Sequence, residues 1–476
     1  MRIHHHFVQG IAHSSYVLGG RKECAVIDPE RDIRPYLRAA EELGLKITRV
    51  LQTHLHADFV SGHIDLARAT GAVIVAPRKA RCRFEHLGVK EGDEIRIDDL
   101  TIGVIETPGH TPEHVCYVVT DGSRSRDPVA VFSGDTLFIG DVGRPDLFPG
   151  RARSLAASLY DSLHGKLLRL PPFVEVYPAH GAGSLCGRAM SAKRSGTIGY
   201  EKRNNRALRI RDRERFIRSL TEGMPLPPDH FSRCSDENAK GPAPTGRMPL
   251  PPPLPPVLFR EMAGKRGRIV LDVRSFEAFG AQHVPGALHI DLAGNFPTFA
   301  GWVIPPDRRI LLVADDRRRA EEATILLRKV GLDRAEAYLE GGMRAWGSAG
   351  LPAEHVPLLS AEELHSRITG GEPGALIDVR AESEYEAQNI RGSIHIPVAD
   401  LRSRYRELDP DLPVVLLCSS GVRSSLGASL LKRHGFRRVF NVAGGTAGYA
   451  AAGYAPECPL CLVPHGPRTA ALAGKP

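Results

Sequence analysis

Residues 259–455 carry one sequence pattern twice, and this repeat limits the fold of the second half of the chain more than any other feature. Leu271-Asp272-Val273-Arg274 recurs as Ile377-Asp378-Val379-Arg380, an offset of 106 residues (272 to 378). Gln282 and Gln388, Gly286 and Gly392, His289 and His395, and Ile290 and Ile396 keep the same offset. Further on, Ile310–Val313 matches Val414–Leu417 and Gly331 matches Gly435 at an offset of 104 (310 to 414), and Gly341-Gly342 recurs as Gly444-Gly445. A fixed period of this length implies two copies of one structural unit. Each copy has an apolar run, a loop and a helix-compatible stretch in succession, which is the pattern of a parallel-sheet α/β domain.

The remaining sequence places these copies behind a different domain. At 476 residues the chain has room for about three domains. Residues 1–200 alternate β-branched runs with loops; candidate strands are 24–28, 72–76, 102–106, 115–119, 129–132 and 173–177. An Arg-rich segment over 201–220 reads as helical. The run from Pro249 to Pro256 holds six prolines and two leucines; such density excludes helix and central strand, so the segment reads as a semi-rigid linker. The expected boundaries are a first domain with its extension over 1–240, a linker over 241–258, repeat copies over 259–354 and 355–455, and a tail over 456–476.

Charge and cysteine content narrow the function classes. The formal net charge of +8 is spread along the chain, apart from Arg-rich patches near 206–218 and 317–319. No basic stretch is interleaved with aromatics, so an anionic small substrate is expected and nucleic acid is not. No run of about 18 apolar residues suggests a membrane span, and the N-terminus lacks the apolar segment of a signal peptide. Eight cysteines without paired spacing do not form a disulfide scaffold and fit a reducing cytoplasm. His4-His5-His6 reads as part of a first strand rather than as a metal-binding tract.

Four apolar runs each end in residues able to bind a metal. They lead to His54-Leu-His56-Ala-Asp58, to Pro108-Gly-His110, to Ser133-Gly-Asp135 and to Pro178-Ala-His180-Gly. One such histidine is more often structural; four strand exits that deliver ligands in this order are specific. The set resembles the metallo-β-lactamase superfamily, especially its glyoxalase II-like branch. The resemblance covers about residues 1–200 and implies an αββα sandwich with the metal at one edge. A two-metal hydrolase of that superfamily has a further histidine after the Asp58 position, where this chain has Phe59. Phenylalanine cannot coordinate, so the second metal position loses a ligand. The remaining groups can supply two histidines and one carboxylate, a facial triad suited to non-haem Fe(II) and oxygen. In the persulfide dioxygenases, which this domain resembles, that triad matches His54, His110 and Asp135. His56, Asp58 and His180 then become supporting residues that orient ligands or water. Spacing alone leaves a single Zn2+ on three histidines open.

Two nearby residues extend this resemblance. Arg144, in Gly140-Asp-Val-Gly-Arg144-Pro-Asp, is either a clamp for an anionic substrate group or a structural ion-pair partner. Cys186, just after His180, is either a sulfur relay near the metal or a small packed thiol.

In the second repeat copy Val414–Leu417 runs into Cys418-Ser-Ser-Gly-Val-Arg423-Ser. A cysteine between a strand and a helix can lie in a cradle of backbone N–H groups that stabilises a thiolate or persulfide, and Arg423 can add charge and hydrogen bonds. With Asp378-Val-Arg380 upstream, this loop resembles rhodanese over about residues 360–455. The first copy has Ala314 in place of Cys418 and reads Ala314-Asp-Asp-Arg-Arg-Arg319; it keeps the scaffold without the nucleophile, and is expected to serve packing, docking or self-association into a homo-oligomer. Cys458-Pro-Leu-Cys461 in the tail is weak as a zinc motif and fits a redox pair better, if it acts at all.

The whole arrangement resembles a persulfide dioxygenase–rhodanese fusion with a degenerate middle domain. That resemblance implies Fe(II)-dependent oxidation of a low-molecular-weight thiol persulfide by O2, giving sulfite, followed by sulfur transfer from Cys418 to sulfite, giving thiosulfate. The competing expectations are a mononuclear zinc thioesterase of glyoxalase II type and a non-catalytic sulfur-carrier or sensor module.

Overall fold

The computed structural model describes residues 1–224 and 227–454. The chain folds into two compact units, one of residues 1–249 with 325–333, the other of residues 250–324 with 334 onward.

The first unit is built on two six-stranded sheets. One contains β1 (Arg2–Val8), β2 (His13–Gly19), β3 (Glu23–Ile27), β4 (Lys46–Leu51), β5 (Val73–Pro77) and β6 (Leu87–Val89) in spatial sequence. The other contains β7 (Glu94–Ile97), β8 (Leu100–Glu106), β9 (Val115–Asp121), β10 (Pro128–Gly134), β11 (Glu175–Pro178) and β12 (Gly196–Thr197). Because side chains alternate across a strand, each sheet offers two apolar faces. The inner faces meet in one core, with Leu18, Ile27, Leu51, Ile102, Tyr117 and Phe132 all buried. Outside the first sheet Tyr36 and Leu66 come from the helices Arg34–Glu42 and His63–Thr70. Outside the second Leu159 and Phe216 come from Ala152–Gly165 and Arg213–Thr221. The four layers are therefore αββα, as the metal-ligand order implied. His4, His5 and His6 lie in β1 and belong to no metal-capable cluster among the described residues.

The second unit holds two five-stranded sheets in which every pairing is parallel. Their central strands are β14 (Arg268–Asp272) beside β16 (Arg309–Val313), and β19 (Ala375–Asp378) beside β21 (Val414–Leu417), counting β13–β17 and β18–β22 along the chain. The recurring Asp-Val-Arg has a structural cause. Arg274 forks onto Asp272 and donates to Gln282 O at 2.8 Å, while Arg380 forks onto Asp378 and donates to Gln388 O. His289 and His395 each meet the matching arginine carbonyl at 2.9 Å. The repeat is thus a set of buried polar groups satisfied the same way twice.

The proline-rich stretch departs from expectation. Pro253–Leu254 forms β13, which pairs with β17 (Ala335–Leu339), and a helix begins at Pro256. The first repeat domain therefore starts inside the segment read as linker. Proline is tolerated there because β13 is an edge strand and Pro256 opens a helix, positions that need no N–H donor. The arginine-rich segment forms two helices, Ile198–Asn204 and Arg213–Thr221. No helix among the described residues is long and apolar enough to cross a membrane. Cys458 and Cys461 lie outside the described residues.

Candidate metal centre and sulfur-transfer loop

The C-terminal ends of β4, β8, β10 and β11 bring His54, His110, Asp135 and His180 to one edge of the sandwich, all buried. At that edge His54 Nε2 lies 3.8 Å and His110 Nε2 lies 3.3 Å from Asp135 Oδ2. The hydrogen bonds fix both tautomers. Thr53 Oγ1 lies 2.7 Å from Asp28 Oδ2 and donates to it, so its lone pairs face His54 Nδ1 at 2.9 Å and that nitrogen carries the proton. His110 Nδ1 donates to Arg144 O at 2.8 Å. Both Nε2 atoms are left with a free lone pair, buried and without a hydrogen-bond partner. Two orphaned imidazole lone pairs beside a carboxylate form a donor set for a divalent cation, and His54, His110 and Asp135 cluster as one metal-capable group.

The electrostatics agree. Burial holds His54 and His110 below the usual imidazole range and hence neutral. Burial alone raises the Asp135 carboxyl, but the positively charged His180, hydrogen-bonded to it, outweighs burial and holds that group well below its usual value. His180 sits between two carboxylates: its Nδ1 is 2.7 Å from Asp135 Oδ1 and its Nε2 is 2.9 Å from Asp58 Oδ2. Burial lowers His180, yet Asp135 and Asp58 together raise it well above its usual value.

His56 turns away from the triad, with Nε2 3.2 Å from Asp28 Oδ1. It lies instead in a second cluster with His13 and His180. His13, at the start of β2, was not singled out in the sequence; its Nε2 donates to Asp28 O at 2.8 Å and its Nδ1 is orphaned. His114 was also missed. Its Nε2 accepts from the Asp135 backbone N–H at 2.9 Å, so it sets the carboxylate's position. Gly134 permits this approach: at φ +51° it lies in the left-handed region, and a Cβ there would meet His114 Nε2 at 2.4 Å.

Asn238, on the helix His230–Lys240, clamps the His54–Asp58 loop. It accepts from Ser61 N–H and donates to the carbonyls of His56 and Phe59, each at 2.8 Å. Removing it leaves three buried backbone groups unpaired, so Asn238→Ala is expected to cost about 3 kcal/mol of stability. Urea unfolding measures this, and a loss below about 1 kcal/mol would mean water replaces the clamp.

Of the two readings of Arg144, the structure shows the ion-pair partner. Its guanidinium forks onto Asp146 at 2.7 Å through two nitrogens and reaches Leu185 O at 3.2 Å. Arg144 contributes to the site through its carbonyl, which orients His110. Cys186 is buried near Asp58 and His180; burial and the Asp58 and Asp135 carboxylates push its thiol well above the usual range, so it rests as a protonated thiol.

In the second unit Cys418 lies at the end of β21, facing the helix Val422–Arg433. Gly421 N–H donates to Sγ at 3.1 Å and Ser424 Oγ is 3.3 Å from it. Of the expected cradle of backbone N–H groups, the structure gives the sulfur one backbone N–H and one hydroxyl, and the ring of Phe276, from the first copy, packs close to Gly421. Arg423 adds hydrogen bonds to the loop: its guanidinium goes to both Glu384 oxygens (2.6 and 2.7 Å) and to Ser419 Oγ (2.8 Å), and its charge lies near Cys418. In the first copy Ala314 is buried, Asp316 Oδ1 accepts from Arg319 N–H at 2.7 Å, and Ala278 stands where Glu384 does in the second.

Hydrogen bonds from Arg423 lead the causes that pull Glu384 down to about 2 from its usual 4.5. A depressed carboxyl stabilises the fold above its unfolded value and loses that contribution in acid. With 37% of the Glu384 side chain exposed, screening keeps the effect small. An acid titration should find the native chain more stable than Glu384→Gln above pH 4.5, with the gap closing toward about pH 2. A gap independent of pH would remove the ion pair from the stability of the loop.

Comparison with known proteins covers both domains that hold these groups. Residues 8–180 match the model of the metallo-β-lactamase superfamily, and residues 256–349 and 360–452 each match that of the rhodanese-like domain. A solved metallo-β-lactamase from Staphylococcus aureus is 32% identical with a TM-score of 0.64, and the match covers 71% of this chain and 98% of that one. The chain belongs to the metallo-β-lactamase superfamily. Within it, this member joins a metallo-β-lactamase domain to two rhodanese-like domains. Among curated relatives, a hydroxyacylglutathione hydrolase from Rhodospirillum rubrum is 40% identical over 159 residues, 33% of this chain and 57% of the relative. The human mitochondrial persulfide dioxygenase ETHE1 is 34% identical over 171 residues, 35% of this chain and 63% of the relative. The chain thus spans about three-fifths of the length of these two curated relatives.

Proposed function

We propose that this protein is an iron-dependent persulfide dioxygenase with a sulfurtransferase domain, converting a thiol persulfide, O2 and water into thiol and sulfite with release of two protons. The observation that carries this reading is the three-membered donor set. His54, His110 and Asp135 converge, His56 faces Asp28 instead, and position 59 is phenylalanine. A bound Fe(II) supplies oxygen activation and a template for the persulfide. The chain's own residues hold that donor set: Thr53 and the Arg144 carbonyl keep both Nε2 atoms unprotonated, and His114 fixes Asp135.

The sulfur-transfer step belongs to Cys418. Its thiolate attacks the outer sulfur of a persulfide, the thiol leaves, and the sulfane sulfur remains on Sγ. Sulfite then takes that sulfur, giving thiosulfate and restoring the thiolate. Gly421 N–H and Ser424 stabilise the anion in both forms.

Similarity to hydroxyacylglutathione hydrolase supports one rival, a zinc thioesterase. Metal analysis combined with oxygen uptake on glutathione persulfide separates the two. Iron with stoichiometric oxygen consumption is expected. Zinc without iron, no uptake after iron reconstitution, and hydrolysis of S-lactoylglutathione would replace the dioxygenase with the thioesterase.

A further inference from the structure

We propose that Lys329 is a positioning residue of the metal centre, and that the copy without a nucleophile is kept in part to supply it. By sequence Lys329 belongs to the first rhodanese-like match, residues 256–349. By its contacts it belongs to the first unit, which takes in residues 325–333. The inference rests on the triad binding a divalent metal and not on the reaction performed there.

Lys329 joins the two loops that hold His54. On one side its carbonyl accepts from Val60 N–H at 2.7 Å, so the loop 54–61 is tied down just past Phe59. On the other its Nζ lies 2.9 Å from Glu30 Oε1, and both residues are buried. Glu30 stands two residues after Asp28, whose carboxylate accepts from Thr53 N–H at 2.8 Å and from Thr53 Oγ1 at 2.7 Å. Thr53 in turn sets the tautomer of His54. The two loops also meet directly, since Ser61 Oγ and Gly62 N–H both donate to Pro29 O. Lys329 therefore holds the segment that carries His54 at its far end and the segment that orients it. The residue is itself anchored, because Arg233 donates to the neighbouring Val330 O at 2.8 Å. Without the ammonium, Glu30 keeps only Asp32 N–H and, at 3.5 Å, His6. A buried carboxylate that loses its cation is costly in place, so the loops must move to bring water to it. Groups that orient a metal's ligands in this way commonly change affinity by 10–100-fold when removed.

Co2+ competition against a chelator on the full-length chain, with hydrogen–deuterium exchange on the metal-free chain, tests this. Lys329→Met should weaken Co2+ binding about 10-fold and shift its visible absorption. It should also speed exchange over residues 54–62 while exchange in β8 stays native. Glu30→Gln should do the same, and it decides the matter should Lys329→Met fold poorly. The double variant should lose no more than either single one, since the two side chains act as a pair. Native affinity with native exchange over 54–62 in both single variants would overturn the proposal. Faster exchange spread evenly through the first unit would do so too, because Lys329 would then stabilise the fold without placing the loop. Losses that add in the double variant would separate Lys329 from Glu30 and overturn it as well.

Discussion

A Cys418→Ser protein is expected to consume oxygen on a thiol persulfide at the native rate while its thiosulfate output falls by at least ~10³-fold and sulfite accumulates instead. The size follows from the chemistry. Serine keeps the strand, the loop and the Gly421 N–H cradle, but a hydroxyl at neutral pH neither attacks sulfur nor carries it as a persulfide. The separation of the two readouts follows from the fold, since the donors to Cys418 and those of the triad belong to different domains. Ion chromatography of sulfite and thiosulfate, run beside an oxygen electrode, measures both quantities. Unchanged thiosulfate would move the transfer step away from Cys418.

Replacing His110 should have the opposite pattern. His110→Ala removes one of three donors, together with the imidazole that donates to the Arg144 carbonyl. Retained iron and oxygen uptake are expected to fall by ~10³-fold or more, while Cys418 still transfers sulfur supplied to it directly. His56→Ala is the informative contrast. His56 faces Asp28 and acts on the triad only indirectly, so a loss of about 10–100-fold is expected. Equal losses in the two variants, by metal content and by oxygen uptake, would mean that His56 enters the donor set and that a three-histidine centre describes the site better.

What could be read from the sequence was whatever nature writes locally. The ligands stand in short motifs directly after apolar strands, and the repeat holds a constant offset because Arg274 and Arg380 solve one packing problem twice. Asp28, His13 and His114 escaped notice because each stands alone and acts on a partner that only the folded sheets bring near. Asn238 is harder still: it lies on a helix 177 residues from Ser61, in a segment with no motif. Arg144 and Arg423 show what sequence leaves open: an arginine beside a site reads equally as an anion clamp or as an ion-pair partner, and the fold supplies Asp146 and Glu384 as their partners. The proline-rich run misled for a related reason, since composition does not say which strand will lie at an edge.

The paired glycines show what outlasts an activity. In the second copy a Cβ on Gly445 would lie 2.1 Å from the Cys418 carbonyl oxygen, so a side chain there would push the reactive loop open. In the first copy Gly342 keeps the same left-handed backbone (φ +58°), with Ala314 O 3.0 Å from where its Cβ would be, although no sulfur is left to hold. The constraint is therefore architectural before it is chemical: a turn and a strand end must touch for the sheet to close. A duplicated domain can lose its nucleophile in one substitution and remain bound indefinitely by its glycines, and for that reason an inactive descendant still announces its ancestry.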